Sequence, residues 1–480
     1  MEEFHSRYSV RRVTGETSSS TTDEAETKSI QIQTTTLDLE ARVQAIIKAT
    51  KNENNQSHPI PKIQKVIFFL RDETDLKKYY EPRVVSLGPI HHRNPKYQLG
   101  EKYKHLLTHE FVKGCDKKIN DLYKKTKEKI KELRDCFEEE VTVGYDDEEL
   151  AWLLFVDGCA ILQYIYCRVN CKFDDLKIKT DSVAFAQQDL FLLENQLPYR
   201  LLKWLMSWSE NEDELKNSIE RYIQGQVIVR EEGKREKEES RDSKEKPQEQ
   251  KTISVDPGPE HIHLLDYLRT SLNVQELRAS NQDKQIDKLN QNKHLQSYRN
   301  VQELRAAGIL VVRSKSKKCC LRDISFTERA CLGYLFLPPI IVDDSTRPMF
   351  LNLIAYEMCL DFENDFGITS YISFLDSLID EANDVKMLRK AGVLYNCLGS
   401  DEEVAKLFNE IGTDLVPNTQ IYSYVRLQIE EHYKNKWMTW MAQFYQNHFS
   451  SPWTIFAFCG VLVGLGLTAI QTWFAVRPAK

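Results

Sequence analysis

The sequence lacks the short motifs that mark several common reaction classes. Its 480 residues contain no GxxxxGK(S/T) phosphate loop, no GxGxxG after a candidate strand, no GxSxG and no HExxH. No Cys-x-x-Cys pair occurs among the 11 cysteines, so a structural zinc site is not expected. The cysteines also lack the spacing of an extracellular module, which favours reduced thiols in the cytosol. We therefore expect neither a metal nor another cofactor.

The sequence also has no surplus of positive charge. It contains 65 Lys and Arg against 72 Asp and Glu, a net charge of −7, which argues against a general nucleic-acid-binding protein. The first ten residues, MEEFHSRYSV, lack the basic start and apolar run of a secretory signal. A hydrophobic content of 41% nevertheless allows most of the chain to fold as an ordinary globular protein.

Charge is missing altogether from one long stretch near the C-terminus. Residues 452–476 read PWTIFAFCGVLVGLGLTAIQTWFAV, which is long enough to cross a bilayer as a helix. Trp453 and Trp473 lie near its ends, where aromatic rings favour the membrane–water interface. We therefore predict a single-pass, tail-anchored protein with a tail at 477–480 and its bulk in the cytosol, at the plasma membrane or endoplasmic reticulum. The alternative is a buried helix of a soluble core, although such helices are usually shorter and amphipathic.

Two glycines in this stretch, Gly460 and Gly464, have the spacing of a small-residue helix contact. Small residues at this spacing let two membrane helices approach closely, so we predict a possible homodimer through the span. The alternative is that glycine is simply common in membrane helices.

The remaining sequence divides into one globular domain and several polar segments. Residues 1–57 are rich in Ser and Thr and are predicted to be disordered apart from one short helix around Val43. Residues 58–449 form the predicted domain, interrupted by a disordered charged insertion at 228–260 and a polar loop at 280–298.

The domain is predicted to be mainly helical with a small β element. Apolar periodicity predicts helices over the following stretches: 97–134, 150–167, 181–196, 199–208 and several between 346 and 449. The helix at 150–167 is apolar nearly all round, but Asp157 near its middle favours a buried helix over a second membrane span. Residues 323–342 are the best candidate for the β element, and 83–87 could form one short strand.

One heptapeptide, NVQELRA, occurs twice, at 273–279 and 300–306. A single pair of copies does not indicate a solenoid. We expect only the second copy to be packed, because apolar sequence follows it directly.

Several longer motifs resemble a plant family known as domain of unknown function 247. The matching residues, in chain order, are 80–82 (YEP), 85–92 (VSLGPIHH), Asp157-Gly158, Asp189, 192–198 (LLENQLP), Glu303-Leu304, 307–309 (AGI), Phe350, 352–357 (NLIAYE), 398–402 (LGSDE), Val404-Ala405, 407–409 (LFN) and Pro452-Trp453. The resemblance covers roughly residues 58–475. The chain departs from the family at Arg93, where glycine is usual.

The resemblance implies a large helical domain with a C-terminal membrane span. The family has no established enzymatic activity, and some grass members resemble pollen-side determinants of self-incompatibility. The resemblance therefore implies a recognition role at a membrane, with a protein partner that the sequence does not identify.

Polar residues within these motifs form one candidate site. The candidate residues are His91, His92, Asp157, Asp189, Glu194 and Asn195. Turn residues on a rigid scaffold often carry function, and His91-His92 follow a Gly-Pro turn. The alternative is that the carboxylates and the amide cap helices and bond to backbone, with Arg71, Arg83 or Arg200 as charge partners. Two further histidine pairs, His105/His109 and His261/His263, are weaker candidates for metal ligands.

Two functional hypotheses remain open from the sequence. The first is a membrane-tethered interaction or recognition protein without catalysis. The second is a hydrolase-like enzyme that uses His91, Asp157 and Glu194, which would require these side chains to converge in a deep pocket.

Overall fold

The computed structural model of the chain describes residues 41–44, 61–71, 76–115, 117–227, 261–273, 300–314, 320–329, 332–434 and 452–476. The chain divides into two units, residues 1–60 and 61–480. In the first unit, residues 41–44 are helical, within the predicted short helix. The rest of the predicted disordered N-terminus, the insertion at 228–260, the loop at 280–298 and the tail at 477–480 lie outside the described residues.

The second unit is mainly helical with two small sheets, which confirms the predicted fold class at this level. Its helices are α1 (Phe68–Arg71), α2 (Gln98–Lys113), α3 (Ile119–Glu128), α4 (Ile130–Arg134), α5 (Glu139–Thr142), α6 (Asp147–Val169), α7 (Thr180–Asp189), α8 (Tyr199–Ser207), α9 (Glu212–Val227), α10 (Leu264–Asn273), α11 (Val301–Ala306), α12 (Thr346–Glu357), α13 (Gly367–Asp376), α14 (Ala382–Lys390), α15 (Asp401–Gly412), α16 (Ser423–Lys434) and α17 (Pro452–Val476).

Helix α6 is the centre of the N-terminal half of this unit. It begins at the cap residue Asp146, whose side chain accepts a hydrogen bond from the Glu149 amide (2.8 Å). Almost every residue from Leu150 to Cys167 is buried, and α2, α3, α8 and α9 pack around it. The predicted buried helix is therefore confirmed.

Close packing of α6 against α8 depends on Gly158. A Cβ atom at this position would lie 2.5 Å from Leu205 Cδ1 and 3.2 Å from Leu201 Cδ2. Only a hydrogen atom fits there, because protein interiors are packed too tightly to absorb an added methyl group without a shift of the helices.

Five strands form the two sheets. Strands β1 (Ile309–Arg313), β2 (Ser325–Arg329) and β3 (Leu332–Leu337) lie in the order β1-β3-β2, with β1 parallel and β2 antiparallel to β3. Strand β4 (Ile340–Val342) pairs in parallel with β5 (Leu394–Asn396). The β element predicted at 323–342 is confirmed, whereas β1 and β5 extend the sheets with residues that were not predicted to be strands.

One predicted strand and one predicted helix end are wrong. Residues 83–87 form no strand: Arg83 and Val84 lie in a bend, and amides of this segment bond to side chains. Helix α7 ends at Asp189 and not near Gln196. The Gln196 side chain donates to the carbonyl oxygens of Leu190 (2.9 Å) and Leu192 (2.7 Å), so these carbonyls are bonded outside a helix. The restart of the helix at Tyr199, after Pro198, is as predicted.

The second copy of NVQELRA is packed, as predicted. It forms α11, in which Val301 and Leu304 are buried, and the Asn300 side chain caps the helix by accepting from the Glu303 amide (3.0 Å). The first copy lies outside the described residues from 274 onward, as does the predicted continuation of α16 towards 449.

Candidate functional site

The candidate site is organised around the irregular segment 83–88, which belongs to no helix or strand and is buried from Ser86 to Gly88. Backbone amides of such a segment need acceptors outside regular secondary structure. The Asp189 carboxylate accepts from three consecutive amides, those of Arg83 (2.8 Å), Val84 (2.8 Å) and Val85 (2.9 Å). Burial raises the pKa of the Asp189 carboxyl group, and the three amide donors oppose this effect.

Further side chains form hydrogen bonds with the backbone of the same segment. Asn195 Oδ1 accepts from the Leu87 amide (2.7 Å), and its Nδ2 donates to the carbonyl oxygens of Val85 (3.1 Å) and Asp189 (2.9 Å). Asp157 Oδ2 accepts from the amide of Gly88 (2.8 Å). The three polar side chains therefore perform the hydrogen bonding that a second strand would otherwise provide.

The segment ends in a turn that requires glycine. Gly88 has φ = +67°, and a Cβ there would lie 2.8 Å from the carbonyl oxygen of Gln196. This left-handed backbone conformation is strained for other residues. The turn then carries the chain to His91 and His92.

Asp157 is paired with a lysine that the sequence analysis did not identify. Lys104 Nζ lies 2.5 Å from Asp157 Oδ1, 2.6 Å from Glu101 Oε1 and 2.8 Å from the Ser86 carbonyl oxygen. The Lys104 and Asp157 side chains are 2% and 0% exposed. Burial disfavours the Lys104 charge, but the carboxylates of Asp157 and Glu101 outweigh burial and raise its pKa. Burial also raises the pKa of Asp157, an effect that the Lys104 ammonium opposes.

A sequence signal for Lys104 exists in helix α2. Gly100, Lys104, Leu107 and Phe111 are spaced as one helix face, and all four are buried. A lysine in the apolar stripe of a helix indicates a buried charge that needs a partner.

The two histidines contact two different carboxylates. His91 Nε2 lies 3.0 Å from Glu194 Oε2, and Glu194 Oε1 accepts from the Val66 amide (2.9 Å). His92 Nδ1 lies 3.9 Å from Glu101 Oε1. Two of the six predicted residues, His91 and His92, therefore lie within segment 83–92, and the other four contact it. The ion-pair partner of Asp157 is Lys104 and not a histidine. Of the arginines considered as partners, Arg71 lies 4.0 Å from Glu194.

A small apolar cavity of about 40 Å³ lies beside this network. Its walls come from α2, α6, α7 and segment 84–87, and consist of Val84, Val85, Leu87, Tyr103, Lys104, Leu107, Ala160, Ile161, Tyr164, Phe173, Ile178, Ser182, Val183, Ala186 and Leu190. His91, Asp157 and Glu194 do not line it. This cavity therefore does not bring together the side chains that the hydrolase hypothesis requires.

The other histidine pairs have ordinary surroundings. His105 and His109 are exposed on α2. His261 stacks on Tyr267 with ring centroids 4.2 Å apart, and buried His263 accepts the Asp266 amide at Nδ1 (3.0 Å). Within the described ranges, no group of three or more His, Cys, Asp or Glu side chains is arranged to hold a metal ion.

Arg93, the departure from the family pattern, joins the turn to the start of α6. Its guanidinium donates to the Gly144 carbonyl oxygen (2.7 Å) and to both carboxylate oxygens of Glu149 (2.9 Å), and lies over the Tyr145 ring at 4.3 Å. The Arg93 side chain is 56% exposed and therefore lies at the surface.

The fold and site together define a class of protein. It is mainly helical, buried polar side chains join its central helix to the irregular segment 83–88, and an apolar helix that is exposed in the described structure follows the domain. The family model for plant proteins of unknown function, DUF247, matches residues 63–467. The chain belongs to this family.

Two proteins of Arabidopsis thaliana are similar along most of their length. The UPF0481 protein At3g47200 is 28% identical over 424 residues, which cover 83% of each chain. The putative UPF0481 protein At3g02645 is 20% identical over 463 residues, covering 82% of this chain and 86% of its own. No solved structure matches the chain.

The Lys104–Asp157 pair generates a prediction about stability. Lys104→Met leaves the Asp157 charge buried without its cation, and Asp157→Asn leaves Lys104 without its principal anion. Each change should lower the free energy of unfolding by about 3–5 kcal/mol. The double variant should cost clearly less than the sum, because neither charge then remains unpaired. Denaturant unfolding of the four proteins measures this coupling, and additive losses would show that the pair is not an energetic unit.

His263 generates a prediction about pH. Burial lowers its pKa from 6.5 to about 4, so the folded protein keeps this imidazole neutral where the unfolded chain becomes protonated. Stability should therefore fall as the pH drops from about 6.5 to 4, by at most about 3 kcal/mol from this group.

His263→Asn retains an acceptor for the Asp266 amide but removes the titration. We expect this variant to show a smaller loss of unfolding free energy than the wild type between pH 6.5 and 4. An identical pH dependence in the two proteins would contradict the assignment to His263.

Proposed function

We propose that this chain is a membrane-anchored plant protein without catalytic activity that serves as a protein–protein interaction or recognition module. Helix α17 is the anchor, and the helical domain faces the cytosol. The observation that carries the proposal is the exposure of α17: none of the residues in its apolar window is buried in the described protein.

The exposure of α17 distinguishes it from the other long apolar helix. Both α6 and α17 are long and apolar enough to cross a membrane, but the apolar window of α6 is 83% buried and that of α17 is 0% buried. The exposed apolar side chains of α17 are Phe456, Phe458, Val461, Leu462, Val463, Leu465, Leu467, Ile470, Trp473, Phe474 and Val476. Lipid is the environment that such a surface favours.

The polar groups of α17 are also compatible with lipid. The hydroxyl groups of Thr468 and Thr472 donate to the carbonyl oxygens of Gly464 and Thr468, each at 2.8 Å. These two hydroxyl groups are therefore bonded within the helix, as a bilayer interior requires.

The use of the buried carboxylates supports a role without catalysis. Asp157 and Asp189 accept backbone amides, and Glu194 accepts one amide and contacts His91. Carboxylates that are bonded in this way support the backbone and have little capacity left for a substrate. The free cysteines of the described residues, among them the exposed Cys171 and Cys397, suit a reducing compartment such as the cytosol.

The glycines of α17 support lateral association as part of this proposal. A Cβ added at Gly460 or Gly464 would meet no atom within 4 Å, so one face of the helix offers bare backbone to a neighbour. In a bilayer, such a face suits a second copy of the same helix.

The anchor generates a prediction about membrane extraction. The double variant Leu462→Arg/Leu465→Arg places two charges near the middle of α17, at a cost of about 2.5–3.5 kcal/mol each for insertion. We expect the wild type to stay in the membrane pellet after a carbonate wash and this variant to move to the soluble fraction. Leu462→Ile/Leu465→Ile should behave as the wild type.

Recovery of the wild type in the soluble fraction would contradict the anchor. Proximity labelling from the intact protein tests the recognition role with the same variants. A reproducible set of protein neighbours that disappears in the arginine variant would support the role, and the absence of any enriched neighbour would contradict it.

The glycine pair generates a prediction about association. Gly460→Leu should lower the dimer fraction in detergent by at least about fivefold, because a leucine keeps the two backbones apart. Gly466→Leu is the matched control, since Gly466 lies on another face of the helix. Equal dimer fractions in the wild type and Gly460→Leu would exclude this contact.

A further inference from the structure

Helices α3 and α4 carry a strongly basic surface on an acidic protein. Residues 117–134 contain eight basic and three acidic residues, a net charge of +5, whereas the whole chain carries −7. The rest of the chain therefore carries −12. This separation of charge favours an orientation of the protein in which the basic surface faces an anionic partner and the acidic remainder faces away from it.

The basic side chains lie on the solvent side of these helices. Leu122, Thr126, Ile130 and Leu133 are buried, and both helices pack on α6 through this side. We call this basic surface the lysine face; it consists of Lys117, Lys118, Lys124, Lys125, Lys127, Lys129 and Lys131. Two tryptophans lie next to it: Trp204 in α8 and Trp208 directly after the end of α8.

Several lysines of this face are not used in ion pairs. Lys127 pairs with Glu148 (3.3 Å) and Lys129 with Glu132 (2.6 Å). Lys118, Lys124 and Lys131 are exposed and have no carboxylate within ion-pair distance in the part of the chain that the structure describes. Their charge is therefore available to an external anion.

Two half-buried tryptophans lie directly beside these lysines. Lys125 Nζ is 5.3 Å from the Trp208 ring centroid, and Lys129 Nζ is 5.5 Å from that of Trp204. Lysine next to tryptophan is the combination found where proteins meet lipid headgroups, since the ring favours the interface and the ammonium group favours anionic lipid.

We propose that the lysine face binds the anionic headgroups of the membrane in which the protein is anchored, and that it thereby orients the domain. This inference rests on the proposed anchor. The 17 residues between Lys434 and Pro452 can span at most about 60 Å, so the domain stays close to the headgroups. At the resulting high effective concentration, even a surface with weak affinity for lipid binds the headgroups. Clusters of four to eight lysines on a helical surface near a span suit this role.

Lysine acylation in nanodiscs tests the proposal directly. Full-length protein is reconstituted in nanodiscs of phosphatidylcholine alone or with about one third phosphatidylserine, and a neutral acylating reagent modifies exposed lysines. Mass spectrometry then gives a rate for each lysine. We expect Lys124 and Lys131 to react about fivefold more slowly in the phosphatidylserine discs. This factor corresponds to the binding free energy that one lysine contributes at an anionic membrane surface. Lys386 and Lys390 of α14 should react equally in both.

Charge reversal provides the second arm. In Lys118→Glu/Lys124→Glu/Lys131→Glu, protection of the remaining Lys127 and Lys129 should disappear, without a change in the unfolding midpoint, because no internal ion pair is broken. Lys179→Glu/Lys386→Glu/Lys390→Glu, at three exposed lysines, is the matched control with the same change in net charge and should retain the protection. High salt should also remove it.

The outcomes separate this proposal from the anchor. Equal reactivity of Lys124 and Lys131 in both kinds of disc would overturn the lysine face and leave the anchor intact. If the protein does not insert into nanodiscs, phosphatidylserine vesicles are added to it directly. Binding that is lost only in the lysine-face variant would still support the proposed role of the lysine face. Absence of binding by the wild type would overturn that role. Protection by an acidic polypeptide but not by phosphatidylserine would overturn the lipid assignment in favour of an acidic protein.

Discussion

The structure depends on a single requirement: the amides of segment 83–88, which belongs to no helix or strand, must find acceptors in side chains. Asp189, Asn195 and Asp157 supply these acceptors from three different places in the chain. Because Asp157 lies on the central helix α6 and its partner Lys104 lies on α2, the same bonds connect the segment to both helices. Unsatisfied amides in this position would cost several kcal/mol, so the polar side chains stabilise the packing of the whole N-terminal half.

Much of the fold could be predicted from the sequence because its signals are local. The periodicity of α6, the restart of the helix after Pro198 and the strands around 323–342 each follow from neighbouring residues. The prediction of a strand at 83–87 was wrong for a non-local reason: the hydrogen-bond partners of the segment are side chains about 70 to 110 residues away. The early end of α7 has the same origin, since no local pattern reveals that Gln196 bonds to two carbonyl groups.

The six predicted polar residues lie in or beside one segment, but their connections could not be predicted from the sequence. Lys104 was missed because helix α2 carries several other charged residues. Its helical spacing with Leu107 and Phe111 was the signal that could have identified it. Burial also separates the two long apolar helices: α6 carries one member of a buried ion pair and its apolar window is 83% buried, whereas the apolar window of α17 is 0% buried in the described protein.

Hydrogen exchange of individual backbone amides tests the central claim most directly. If side-chain acceptors replace a partner strand, the amides of Val84, Val85, Leu87 and Gly88 should exchange as slowly as those in the middle of α6, near the limit set by global unfolding. Exchange of these four amides at the rate of an exposed loop, while α6 stays protected, would contradict the account.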